Sequence, residues 1–235
     1  MSYILHYAPD NASIIVRMTL EELGVPYRTV LVDRAVQAQA SAAYRTINPA
    51  GLIPTLETPQ GPVFETAAIL LWLTETHGAM APGPCAADRG DFLKWLFFTS
   101  NTVHAQLRML FYPGKYVGPD PAAQANLRAR ITDHDASDMT LPKGLHLLDR
   151  HIAERPPHET PTVLDYYIAA ILRWCGVYPA GSTAWFNVTT WPALHAMAAA
   201  LETRAAVCAV QIAEGLGPTP FTAPQRPNPP EGSAL

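Results

Sequence analysis

Cysteine is scarce in this chain: 235 residues contain three, Cys85, Cys175 and Cys208, far apart and without a CxxC pair. That excludes a dithiol redox motif and a cysteine-built metal site, and an odd number of isolated thiols suits a reducing compartment. Charge is thin as well. Asp, Glu, Lys and Arg make up 15%, the net charge is −4, and no stripe of Lys or Arg stands out. No nucleic-acid partner is expected. Long hydrophobic runs are missing: even Ala67 to Leu73, which no run exceeds, falls far short of a bilayer span, so no membrane partner is expected either. The opening Met1–His6 has neither a basic segment nor a long apolar one, and the expectation is a cytoplasmic protein with no secretory signal.

What is present is apolar. Hydrophobic residues are 49% of the chain, enough to bury a sizeable core in one large domain or two small ones, and a generally disordered chain is excluded. Most of the 23 prolines gather at 49–62, 82–84, 113–121, 156–161 and 218–230, where they punctuate elements.

Residues 4–7 read as a strand, 8–11 as a turn and 12–23 as a helix with Val16, Leu20 and Leu23 at helical spacing. Gly24 and Pro26 stop it, and 27–32 is a second strand. The Ala-rich stretch 35–46 is expected to be helical. Short strands at 55–57 and 63–64, joined by Pro59-Gln60-Gly61-Pro62, precede a helix over 66–76. Strand–helix–strand implies a parallel pair, and the hairpin adds antiparallel strands. The fold class is therefore α/β plus all-α: a β-α-β-α-β-β-α unit at 1–77, a linker at 78–87, an all-helical unit at 88–214 and a Pro-rich tail at 215–235. In the helical unit, Asp88–Leu110 is aromatic-rich, 113–121 is a loop, and 122–153 is one broken helix or two with Pro142 as the interruption. Thr162-Val163-Leu164-Asp165 opens a helix as a capping box, another helix begins near Pro192, and the tail is either disordered or laid across the surface.

Three segments carry chemistry. Ile53-Pro54 lies between a turn and a strand. As a cis bond it leaves the Ile53 N–H and C=O free for an extended peptide; as a trans bond it only starts a strand. Glu65-Thr66 precedes a helix, whose first N–H groups and positive dipole end hold an anion while Glu65 holds a cation. Together they suit a zwitterionic amino-acid head; alone they make a helix cap. Ser13 lies in the first turn of the first helix, where a hydroxyl stabilises a thiolate or caps the helix. Asp133-His134-Asp135 with Asp138 reads as a solvated face, and no metal is expected.

The element order, together with Tyr44-Arg45-Thr46-Ile47-Asn48-Pro49-Ala50-Gly51-Leu52-Ile53-Pro54-Thr55-Leu56, Glu65-Thr66-Ala67-Ala68-Ile69, Val16-Arg17, Leu20-Glu21-Glu22-Leu23-Gly24-Val25-Pro26-Tyr27 and the 162–165 helix start, resembles the soluble glutathione transferase family. The resemblance implies a thioredoxin-like N-terminal domain that binds glutathione as co-substrate, with Pro54 cis, the Ile53 backbone on the cysteinyl part and Glu65 and Thr66 on the γ-glutamyl end. It places Ala12 where cysteine-type bacterial members have their cysteine, and makes Ser13, then Asn11, then Tyr7 the candidates at the thiolate. His104 matches a histidine that faces the thiol in bacterial members; on an apolar helix it also reads as a packed residue. Arg34, Gln37 and Gln39 are candidates for the glycyl carboxylate, and Arg17 reads as a structural ion pair. Phe111, Tyr112 and Tyr116, with Trp95 and Phe98, are aromatic enough to line an apolar second-substrate pocket, and core packing is the simpler reading for most of them.

The implied function is transfer of glutathione to a small electrophile, a detoxification chemistry, by a homodimer. Glutathione-dependent disulfide reduction and a non-catalytic binding or partner module of the same fold are the competing readings.

Overall fold

The computed structural model describes residues 2–155 and 160–234. Residues 156–159, within the proline cluster at 156–161, lie outside them. The N-terminal part runs β1 (Tyr3–Tyr7), α1 (Ser13–Leu23), β2 (Tyr27–Leu31), α2 (Ala42–Arg45), β3 (Thr55–Thr58), β4 (Gly61–Phe64) and α3 (Thr66–His77). The sheet order is β2-β1-β3-β4, with β1 parallel to β2, and β3 antiparallel to both β1 and β4. This is a thioredoxin-like domain, as the family resemblance implies. Pro59 and Gln60 alone form the hairpin turn, because Gly61 and Pro62 already pair with Thr58 and Glu57.

The expected helix over 35–46 is mostly not one. A single 3-10 turn at Ala38–Ala40 and the four-residue α2 replace it, and Gln37 has φ 54°. Alanine favours helix, but this stretch offers no apolar stripe to bury, and helices draw most of their stability from such a face.

The second part is helical: α4 (Arg89–Phe98), a π-helical stretch (Thr99–His104), α5 (Ala105–Phe111), α6 (Gly114–Val117), α7 (Pro121–Ile131), α8 (Leu141–Glu154), α9 (Val163–Val177), α10 (Pro192–Glu202) and α11 (Ala205–Glu214). Two expectations change. The loop expected at 113–121 contains α6. Pro142 starts α8 rather than interrupting a helix, since a missing N–H costs nothing in a first turn, and the break lies at residues 132–140. Thr162 and Asp165 do form a reciprocal capping box at α9.

Helix α9 is the centre of the molecule, with Val163 to Cys175 buried throughout. Helix α1 packs against α3, α9 and α11. The tail is laid down rather than loose: Phe221 is 0% exposed, and Glu202 accepts from the Phe221 and Thr222 N–H groups at 2.8 Å each. Among the described residues no single helix is long and apolar enough to cross a membrane.

Candidate functional site

The loop before β3 is held by its own polar residues. Tyr44 donates its hydroxyl to the Leu52 carbonyl at 2.7 Å and meets the Thr55 hydroxyl at 2.9 Å. The buried Asn48 amide donates to the same carbonyl at 2.7 Å. Gly51 has φ 63°, and a Cβ there would sit 3.0 Å from the Gln39 carbonyl oxygen, so glycine fits the approach of the two segments. This frame presents Ile53-Pro54, whose peptide bond is cis. Ile53 makes no backbone hydrogen bond to another described residue.

Glu65 caps α3 with φ 71° and ψ 116°, outside the regions open to most L-residues. It is exposed, Thr66 beside it is buried, and the Glu65 carbonyl accepts from Ile69 N–H at 2.9 Å. Strain of this kind collects at ligand sites and costs about 1–3 kcal/mol. Across the domain boundary lies Tyr167 of α9. Burial pushes its phenol up, and the Glu65 charge pushes it further the same way. The Tyr167 hydroxyl is 2.8 Å from His104 Nδ1, and the His104 ring also lies 5.3 Å from that of Trp174. Desolvation brings the His104 pKa down to about 4, so its imidazole is neutral at ordinary pH.

The β1–α1 turn carries the three thiolate candidates. Ser13 begins α1 and is 0% exposed. Its hydroxyl donates to the Ala8 carbonyl at 3.1 Å. Asn11 is half-buried, and its side-chain oxygen accepts from Ala12 N–H at 2.9 Å. Tyr7 ends β1 buried. Its hydroxyl donates to Glu231 of the tail, and burial followed by that contact pushes its pKa up. Ser13 and Asn11 thus share one turn, Tyr7 lies at its start, and His104 lies across the domain boundary.

An element the sequence reading missed fixes this turn. Asp10, at φ 51°, is pinned from α9: Arg173 donates to both its carboxylate oxygens at 2.7 and 2.9 Å, Tyr178 at 2.7 Å and Trp174 at 3.1 Å. Arg173 and Asp10 have fully buried side chains. The remaining Arg173 donors reach the carbonyls of Leu216, Pro220 and Gln225, which ties the turn to the tail. The Asp10 N–H donates to Glu214 at 2.9 Å, and Glu214 pairs with Arg17 at 3.3 Å, so Arg17 does form a structural ion pair. The visible signal was an arginine inside an otherwise apolar helix.

Burial raises Glu214 from 4.5 to about 7. The folded state therefore holds a proton that the unfolded chain has lost, and this contribution to stability falls as pH rises from about 4.5 to about 7, by up to about 3 kcal/mol. Glu214→Gln keeps an acceptor for Asp10 N–H and is expected to flatten that slope in urea denaturation series at pH 5, 6 and 7. An unchanged slope would assign the pH dependence to other groups.

Arg34, a candidate for the glycyl carboxylate, donates to the Ala234 carbonyl and to the Tyr112 hydroxyl, the latter at 2.8 Å. Gln39 has a buried side-chain oxygen with no partner among the described residues. Phe111, Tyr112 and Tyr178 form one aromatic group at the end of α5, whereas Trp95 stacks on His151 at 4.5 Å as part of another cluster.

Comparison with known proteins agrees with this architecture. Residues 12–76 match the family model for the glutathione S-transferase N-terminal domain. Glutathione S-transferase GST-4.5 of Xanthomonas campestris is 26% identical over 174 residues, 72% of this chain and 81% of that protein. A probable elongation factor 1-gamma 2 of Arabidopsis thaliana is 29% identical over 116 residues, and this chain spans only 25% of it. A sphingomonad glutathione S-transferase solved with glutathione is 29% identical with a TM-score of 0.70, covering 91% of this chain and all of that one. A transferase homologue from Sulfitobacter, also solved with glutathione, shares the fold at a TM-score of 0.74 and 20% identity, over 89% of this chain and 97% of that one. The fold and these likenesses make the chain similar to glutathione S-transferases over most of its length, with the family model itself matched by its N-terminal part, residues 12–76.

Proposed function

We propose that the protein is a glutathione transferase that joins the glutathione thiolate to a small apolar electrophile. The observation that carries the reading is the frame around the cis Ile53-Pro54 bond: the Ile53 backbone makes no hydrogen bond to another described backbone group, and the bond leads into Thr55, which pairs with Phe64 immediately before the strained Glu65 cap of α3. The peptide adds to the sheet edge at Ile53. Its amino-acid head lies on Glu65 (ammonium) and on Thr66 with the α3 N-terminus (carboxylate).

The thiol then points toward the β1–α1 turn, where Ser13 at the start of α1 favours the thiolate. The proton leaves to solvent. The thiolate forms a C–S bond, and the leaving group departs with the electron pair of the bond it loses. Because the nucleophile belongs to the ligand, the protein supplies placement and electrostatics. Ala12 offers no thiol, so no mixed disulfide forms there. The aromatic group around Phe111 and Tyr112 receives the electrophile, and the active form is a homodimer as the family implies.

Ser13→Ala is the test. The pH–rate profile for conjugation of a chlorinated nitroarene is expected to move up by about one to two units, with a roughly 10- to 100-fold slower rate well below the new pKa. An unchanged profile would remove Ser13 from the thiolate. A non-catalytic glutathione-binding module is the second reading. It is favoured by one observation, the commitment of the Ser13 hydroxyl to the Ala8 carbonyl. Calorimetric glutathione binding without turnover across an electrophile panel would select it.

A further inference from the structure

The tail has two parts that are held differently. Residues 216–225 are locked by Arg173, and Asn228 N–H donates to the Gly215 carbonyl at 2.8 Å. Beyond them the tip, 231–234, lies over the mouth of the β1–α1 turn. Gly232 has φ +71°, and a Cβ there would fall 2.6 Å from Leu31 Cδ1 and 3.3 Å from Pro9 Cδ, so the tip sits directly on β2 and the turn. Glu231 accepts from the Tyr7 hydroxyl and the Ala234 carbonyl accepts from Arg34.

The charges at this mouth are unequal. Asp10 is neutralised by Arg173, and Glu214 is paired with Arg17. Asp33 accepts from Ala35 N–H beside Arg34. The cations are Arg34 on the Tyr112 hydroxyl, Lys115 with its Nζ 4.8 Å from the Tyr112 ring centroid, and Arg226, whose charge is felt at Tyr178. Against these three, among the described residues, stand Asp33 and Glu231, the latter exposed except for its bond to Tyr7.

We propose that Glu231 sets the charge preference of the second-substrate pocket, offsetting a cation-rich mouth so that neutral electrophiles are accepted and carboxylate-bearing ones are held back. The inference rests on the reading that glutathione occupies the Ile53–Glu65 frame. A carboxylate on the electrophile would meet Glu231 beside Tyr7. With Glu231 neutralised, it would meet Arg34 and Lys115 instead.

The test is calorimetric and needs no turnover. S-benzylglutathione and S-(4-carboxybenzyl)glutathione differ in one carboxylate. Their dissociation constants are measured on the full chain, on Glu231→Gln and on Glu231→Lys, with thermal melts confirming that each variant is folded. The affinity ratio is expected to move toward the carboxylate ligand by about three- to tenfold in Glu231→Gln, the size of an exposed charge contact, and further in Glu231→Lys. An unmoved ratio overturns the proposal. Equal tightening of both ligands also overturns it, because the tip would then act as a plug. If glutathione itself fails to bind the full chain, the reading of the site falls first and this one with it, whereas glutathione binding with an unmoved ratio removes the charge preference alone.

Discussion

Glu65→Gly is expected to weaken glutathione binding by about 10- to 100-fold while leaving the fold as stable as before or up to about 2 kcal/mol more stable. The loss follows from removing a charged partner for the ligand's ammonium group, a contact of about 1.5–3 kcal/mol. The gain follows from the backbone. Glu65 holds φ 71° and ψ 116°, which glycine adopts without a Cβ clash, and relief of about 1–3 kcal/mol exceeds the entropy cost of a glycine, about 0.5–1 kcal/mol. A residue kept only as a helix cap would not show this split. Calorimetry and urea denaturation on the same variant read both halves. Lower stability together with unchanged affinity would make Glu65 a structural cap and nothing more.

Asp10→Ala is expected to cost about 3–5 kcal/mol, because it strands the Arg173 guanidinium without its carboxylate in a buried site. Tyr178 and the Trp174 indole lose an acceptor in the same step. Arg173→Met is expected to cost a similar amount, and the double variant much less than the two added together, since the two substitutions remove the same pair. Denaturation midpoints of the three variants check this. Additive losses would mean that the pair is not a unit. Conjugation by the double variant is expected to suffer more than its stability, because Asp10 fixes the turn that carries Asn11 and Ser13.

The N-terminal domain was legible in the sequence because its elements announce themselves locally. Gly24 stops α1 as expected and does so in the left-handed conformation, and the β3–β4 hairpin sits within a residue or two of its turn; in the helical part, Thr162 and Asp165 form their box in the same local way. The stretch 35–46 was not legible, since alanine reports propensity without a face to bury. At the candidate site, local signatures marked a proline turn at Ile53-Pro54 and a helix start at Thr66 but left their roles open, and the cis bond now seen was expected only from the family resemblance. The Asp10–Arg173 pair joins positions 163 residues apart, and one sequence carries no sign of which acid meets a buried arginine. The tail was harder again. Its prolines announce extension, but Glu231 on Tyr7 and Ala234 on Arg34 depend on where α9 and α11 place the chain.

The most direct measurement is a pair of calorimetric titrations, glutathione against cysteinylglycine, which lacks the γ-glutamyl head. The account predicts glutathione binding at millimolar concentration or tighter, and cysteinylglycine at least about tenfold weaker for loss of the contacts to Glu65 and Thr66. No heat with glutathione at millimolar levels, or equal affinity for the two peptides, would contradict it.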